Sequence, residues 1–294
     1  MIDAMRFSSR TIGLASAVIT VLIWTGFIVI ARASASRGLL PLDIALARIL
    51  GASAVLLPWA WWLMRPARQR GEKTGSLWGL SPLPLAQTLR AGFFGGLLYA
   101  VLAYSGFFFA PAAHASVLMP GSLPLWTTLL AWVVLREKIP GSRVLGLGFI
   151  VLGDLLVGGV SLLKAFDGGD VWKGDLLFMS AAFCWSAYSV TVRRYGLDAV
   201  RATMAITAFA LVAFVPAYAL LTYTGVLPTH LPQVPWSEIL FQAGFQGCGS
   251  VVISGITFTQ MVRHFGPVRS TMITALVPGL SALGAVWFLG EPMH

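Results

Sequence analysis

Nine stretches of about 20 mostly apolar residues decide what this chain can fold into. They run over 12–31, 41–63, 88–109, 112–135, 143–163, 174–193, 202–224, 237–261 and 268–290. A helix that crosses the hydrocarbon core of a bilayer needs roughly 20 such residues. Only 11% of the chain is charged and 57% is apolar, where soluble domains average roughly a quarter charged residues. That is too little charge to cover a soluble particle, and too much apolar surface for a disordered one. The fold expected is all-α, a polytopic membrane protein. Cys184 and Cys248 both sit in apolar runs, which supports neither a disulfide framework nor a zinc site. The first run follows Arg6 and Arg10 and precedes Ala33-Ser34-Ala35, as a signal peptide would. Its length and its Trp24 argue that it is retained.

The basic residues set the orientation. With the N-terminus in the cytoplasm, 15 of the 20 Lys and Arg fall in inside segments, among them Arg6, Arg65, Lys73, Arg136 and Arg263. Four fall outside: Arg32, Arg37, Lys164 and Lys173. Arg48 lies within a span. The formal charge of +9 is spread over five inside segments, so it is no nucleic-acid patch. The location expected is the cell inner membrane, crossed many times.

The chain repeats itself. Gly13, Trp24 and Arg32 recur as Gly174, Trp185 and Arg193 at a constant offset of 161. Pro58 matches Pro216, and Ala91-Gly92-Phe93 with Gly95 matches Ala243-Gly244-Phe245 with Gly247. Pro124 and Glu137 match Pro278 and Glu291 at an offset of 154. The first copy, 1–163, has five spans. An odd number forces the second copy, 164–294, to enter the membrane the other way up. Inverted repeats around a site at the midplane are a transporter architecture. After Glu137 the first copy continues through the helix 143–163, but only Pro292, Met293 and His294 follow Glu291. A tenth span is therefore expected to be missing from this sequence, with a natural reading frame about 25 to 30 residues longer.

The segments IWTGFIVIAR, ALARILGAS, ASVLMPGSLPLWTTLLAWVVLREKIPGSRVLGLGFIVLG and TALVPGLSALGAVWFLGEP resemble the EamA-type family of the drug/metabolite transporter superfamily. The resemblance covers essentially the whole chain. It implies ten helices in two inverted five-helix repeats and outward movement of amino acids, other small metabolites or drugs. Local similarity around Tyr99 and Trp185 resembles the exporters of amino acids, aromatic ones included. The run Met119-Pro120-Gly121 before Pro124 departs from that branch.

Polar or kinked faces point to the pathway. In the eighth span Gln242, Gln246, Ser250, Ser254 and Thr257 recur at i+4 and i+3 on one face. They either line an aqueous route or bond neighbouring helices. Tyr99 stands alone on a small-residue face made by Gly92, Gly95, Ala103 and Gly106, placed either to fill a groove or to enter a cavity. Trp24 and Trp185 lie mid-span, away from the interfacial aromatic belts, where they stack on substrate or pack between repeats. Tyr188, on the side of Ser180 and Cys184, and Met119 are further contact candidates. Pro120, Pro124 and Pro278 interrupt their spans, as hinges of alternating access or as static kinks. Asp154 and Arg48 are intramembrane charges. They are expected to neutralise each other, or Asp154 to couple transport to protons. His114 is read as interfacial, and Asp43 and Asp175 as helix-start carboxylates.

No cofactor, metal site or phosphate loop is expected. Asp154 lacks the first Gly of an aspartyl intramembrane protease motif, and neither HExxH nor GxxxxGK[ST] occurs, so the chain is not read as an enzyme. A passive channel would show rings of like side chains or repeated filter loops. The expectation is a secondary transporter of small metabolites, amino acids first, with drugs, nucleosides or sugar derivatives as the alternative substrates. Its partners are then a small-molecule substrate and the lipid bilayer.

Overall fold

The computed structural model describes residues 9–34, 38–71, 75–164 and 169–289. Arg6, Arg37, Lys73 and Glu291, used above, lie outside the described residues. So does the chain end from which a tenth span was inferred.

Nine helices long and apolar enough to cross a membrane make up the described chain. They are α1 (Ser9–Ser34), α2 (Pro41–Gln69), α3 (Leu85–Gly106), α4 (Ala112–Leu135) and α5 (Gly141–Lys164), then α6 (Val171–Tyr195), α7 (Ala199–Tyr223), α8 (Trp236–Phe265) and α9 (Pro267–Phe288). In a bilayer every backbone N–H and C=O must be bonded internally, which is why spans this apolar are helices. Proline opens α2 and α9 at positions whose N–H would be orphaned anyway. Asp198 caps α7 by accepting from the Arg201 N–H at 3.1 Å. Gly196, at φ 57°, ends α6 in the left-handed region that favours glycine.

Two features of the backbone were not legible in the apolar pattern. Gly92–Leu98 in α3 and Ala243–Ile253 in α8 are π-helical. These two segments lie at matching positions of the two copies. The other feature concerns the prolines. Pro124 and Pro278 were expected to give symmetry-related bends, yet α4 runs as helix through Pro120 and Pro124. By contrast α9 divides into Pro267–Thr274 and Val277–Leu289. Pro278 has no N–H for the Thr274 carbonyl, and the chain turns there instead of continuing.

The packing is pairwise symmetric. α2 lies against α8 as α7 lies against α3, and α1 against α8 as α6 against α3. α4 packs on α6 as α9 packs on α1. Small residues permit the approach. A Cβ on Gly51 would stand 2.1 Å from the Ala243 carbonyl oxygen, and one on Gly96 2.5 Å from that of Ile206. α6 is the most buried span and α5 the least. Leu145, Phe149, Leu152, Leu156 and Leu163 of α5 all face outward, as a lipid-facing helix requires. The cores join mainly through α3, α6, α7 and α8, around Trp185, Tyr188, Ile206 and Phe258.

Candidate substrate-binding cavity

A cavity opens among the helices. Its wall is drawn from seven spans: Trp24, Phe27 and Ile28 of α1, Arg48 of α2, Tyr99 of α3, Met119, Pro120 and Leu123 of α4, Ala182 and Trp185 of α6, Ser250 of α8 and Val277 of α9. A second chamber shares Arg48, Tyr99, Trp185 and Ser250 with the first and continues along Gly95, Gly96, Ile206 and Thr207. Sites for small organic molecules are mostly apolar with a few fixed polar groups, as this lining is.

The aromatic residues form one cluster. The Trp24 and Trp185 rings, at matched repeat positions, meet edge to face at 6.0 Å. Tyr99 lies 4.9 Å from Trp185, and Phe258 stacks on Trp24 at 5.3 Å from behind. Such contacts hold large rings in fixed orientations. Trp24 is fixed further by donating its indole N–H to the Ser254 hydroxyl at 3.1 Å. The indole N–H of Trp185 is buried with no partner among the described residues.

The polar stripe of α8 does something narrower than line a water route. Gln242 donates to Glu238 at 2.8 Å, and Gln246 accepts from the Tyr104 hydroxyl at 3.2 Å. Ser254 accepts from Trp24, and Thr257 shares a bond with Thr20 at 2.8 Å. The bond of Gln242 stays within α8, while those of Gln246, Ser254 and Thr257 stitch α8 to α3 and α1. Within a membrane each is worth about 0.6 kcal/mol on average, so the stripe is a seam. Ser250 is the member that reaches the cavity, where it accepts from Arg48 Nη1 at 3.1 Å.

Among the expected contacts, Trp24, Tyr99, Met119, Trp185 and Ser250 therefore share one wall, with Pro120 beside them. Gln246 and Ser254 sit behind it. Tyr188 is fully buried, 5.2 Å from Trp185, and shares a hydrogen bond with Thr259 at 2.9 Å. Pro124 and Pro278 are not part of the wall.

The expected ion pair of Arg48 with Asp154 is not formed. Arg48 turns inward to Ser250, with its guanidinium carbon 6.0 Å from the centre of the Tyr99 ring. Asp154 is on peripheral α5 and lines a different recess, with Trp172, Asp175 and Met179. Its Oδ2 is buried without a partner. Both lie toward the outer ends of their spans under the expected orientation, but they sit on helices that face different neighbours.

Two carboxylates read as simple helix-start residues are structural hubs. Asp43 accepts from the Leu40 N–H, the His230 N–H, the Thr229 hydroxyl and the Tyr218 hydroxyl. It thereby fastens the start of α2 to the end of α7 and to the loop before α8. Asp175 takes the Ser161 hydroxyl and lies 2.8 Å from His114 Nδ1. His114 is thus an interhelical partner as well as a residue at a helix start. Sequence spacing carried no sign of either hub, because the partners come from distant segments.

Comparison with known proteins agrees with this architecture. An uncharacterized transporter of Bacillus subtilis, YyaM, is 27% identical over 190 aligned positions, covering 60% of this chain. The chain spans 59% of that relative's length. An uncharacterized transporter of Archaeoglobus fulgidus is 26% identical over 295 aligned positions, covering 94% of this chain and 96% of the relative. A crystal structure of a protein 22% identical superposes with a TM-score of 0.59 over 98% of this chain and 91% of that one, which speaks to the fold alone. The sequence model of the EamA-like transporter family matches residues 11–159 and 172–294. The chain belongs to the EamA-like transporter family.

Proposed function

We propose that this transporter is a secondary active exporter of small metabolites, amino acids with aromatic or large apolar side chains first among them. It works by alternating access through the cavity between two inverted repeats, residues 1–163 and 164–294. The observation that carries the reading is the convergence of Trp24, Tyr99 and Trp185 on one enclosed wall, with one tryptophan from each repeat. Flat rings at fixed angles give area to an apolar or aromatic side chain at little cost in conformational freedom. The wall offers few polar groups, so it discriminates by shape and by a small number of hydrogen bonds. No bond is made or broken in this cycle, and the protein acts as a carrier, not as an enzyme. It sits in the cell inner membrane with its N-terminus in the cytoplasm, by the distribution of Lys and Arg.

Counterflow in proteoliposomes tests the reading with a panel of labelled amino acids. Saturable exchange of phenylalanine, tyrosine, tryptophan or leucine is expected, reduced at least tenfold in Trp185→Ala and Tyr99→Ala. Exchange of a nucleoside or of a cationic drug, with none of any amino acid, would sink the substrate assignment and leave the family intact.

A further inference from the structure

Among the described residues the central cavity is lined by a cation and no anion. Arg48 is 9% exposed, and an arginine side chain carries a positive charge. Among the described residues no Asp or Glu oxygen lies within 4.0 Å of it. It has instead neutral groups: the Ser250 hydroxyl, the Tyr104 hydroxyl and the face of Tyr99. Neither chamber has an acidic residue in its lining. The buried Trp185 N–H in the same wall is a second donor without an acceptor.

A buried charge without a counter-ion is unfavourable, and intramembrane arginines pair with an anion or face a pathway. Here the structural partner expected from the sequence, Asp154, is elsewhere. The planar fork of a guanidinium matches the two oxygens of a carboxylate. The aromatic wall stands within the same cavity, so one small molecule reaches both.

We propose that Arg48 is the anchor for a substrate carboxylate. The cavity then selects molecules that carry a carboxylate together with an aromatic or bulky apolar group, and it rejects the corresponding amines. An ammonium group would be repelled by the Arg48 charge, with no carboxylate among the described lining residues to offset it. The α-amino group of an amino acid is, on this account, tolerated rather than recognised. The inference rests on the reading of this cavity as the transport site.

Three molecules of one skeleton separate the two charges: phenylalanine, 3-phenylpropionate and phenethylamine. Counterflow with labelled phenylalanine and with labelled 3-phenylpropionate is run at neutral pH, with all three as competitors. Both acids are expected to exchange and to compete within a few-fold of each other, with phenethylamine at least tenfold weaker. Arg48→Gln is expected to lower exchange of both acids at least tenfold, and Arg48→Lys to restore part of it. Phenethylamine competing as well as the acids, or Arg48→Gln keeping the wild-type half-saturation, overturns the proposal. If 3-phenylpropionate exchanges in an Arg48-dependent way and no amino acid does, the anchor stands and the amino-acid reading fails. If neither acid exchanges while a cationic drug does, both fail. Should Arg48→Gln not yield folded protein, the comparison of the three molecules on the unaltered chain decides.

Discussion

Trp185 has two roles that pull its mutants in different directions. It is 5% exposed and packed on Trp24, Tyr99, Tyr188 and Phe258, yet it also lines the cavity. Replacing it with alanine removes core volume at a cost of about 3–5 kcal/mol, so lost transport alone would be ambiguous. Trp185→Phe keeps most of the ring area and removes the unpartnered N–H. It is expected to keep the thermal midpoint within a few degrees while weakening substrate half-saturation several-fold, as read by counterflow beside a melting curve in detergent. Asp43 gives the opposite pattern, because it lies in none of the central cavity's walls. Asp43→Asn weakens a carboxylate that accepts four hydrogen bonds. The expected loss is about 1–3 kcal/mol, with half-saturation unchanged.

At the scale of the helix, closeness of backbones decides what is tolerated. Gly51→Ala puts a carbon 2.1 Å from the Ala243 carbonyl oxygen, while Gly26→Ala meets nothing within 4 Å. Gly51→Ala is expected to separate α2 from α8 and to lower the melting temperature markedly in detergent, and Gly26→Ala to leave it in place. The break in α9 has a different use. It follows from Pro278 and divides the span at Ala275 and Leu276. Pro278→Ala restores the N–H that can bond Thr274. The expected result is a straighter, more stable span with slower exchange. Unchanged turnover would show that the break only shapes the bundle. Neither effect follows from apolar counting, since both depend on which backbone lies opposite.

For the whole molecule the testable quantity is sidedness. The arrangement proposed places Gly71, just past α2, in the cytoplasm, and Gly225, just past α7, outside. Single cysteines introduced there are expected to label oppositely with a membrane-impermeant maleimide. Gly225→Cys should react in intact cells, and Gly71→Cys only in inverted vesicles. The reverse pattern would turn the protocol of the counterflow experiment, and the word exporter, around.

The nine spans, the family and the matched positions were all readable from the chain. They depend on local quantities: the run of apolar residues that one helix needs, the proline that ends or opens it, and recurrence at a fixed offset. Trp24, Tyr99 and Trp185 stood out in the chain as large rings at mid-span, but that they meet in one wall came only from the structure. What a polar side chain meets was not legible. The α8 stripe shows regular spacing, but only its neighbours turn Gln246 and Ser254 into a seam and leave Ser250 in the cavity. Arg48 and Asp154 both fall in the outer halves of their spans, and a sequence gives that much. It gives no rotation of one helix about its axis relative to another, because in lipid no hydrophobic drive ranks one apolar face above the next. Close packing of small residues and a handful of interhelical hydrogen bonds set that rotation, and they exist only once the helices have met.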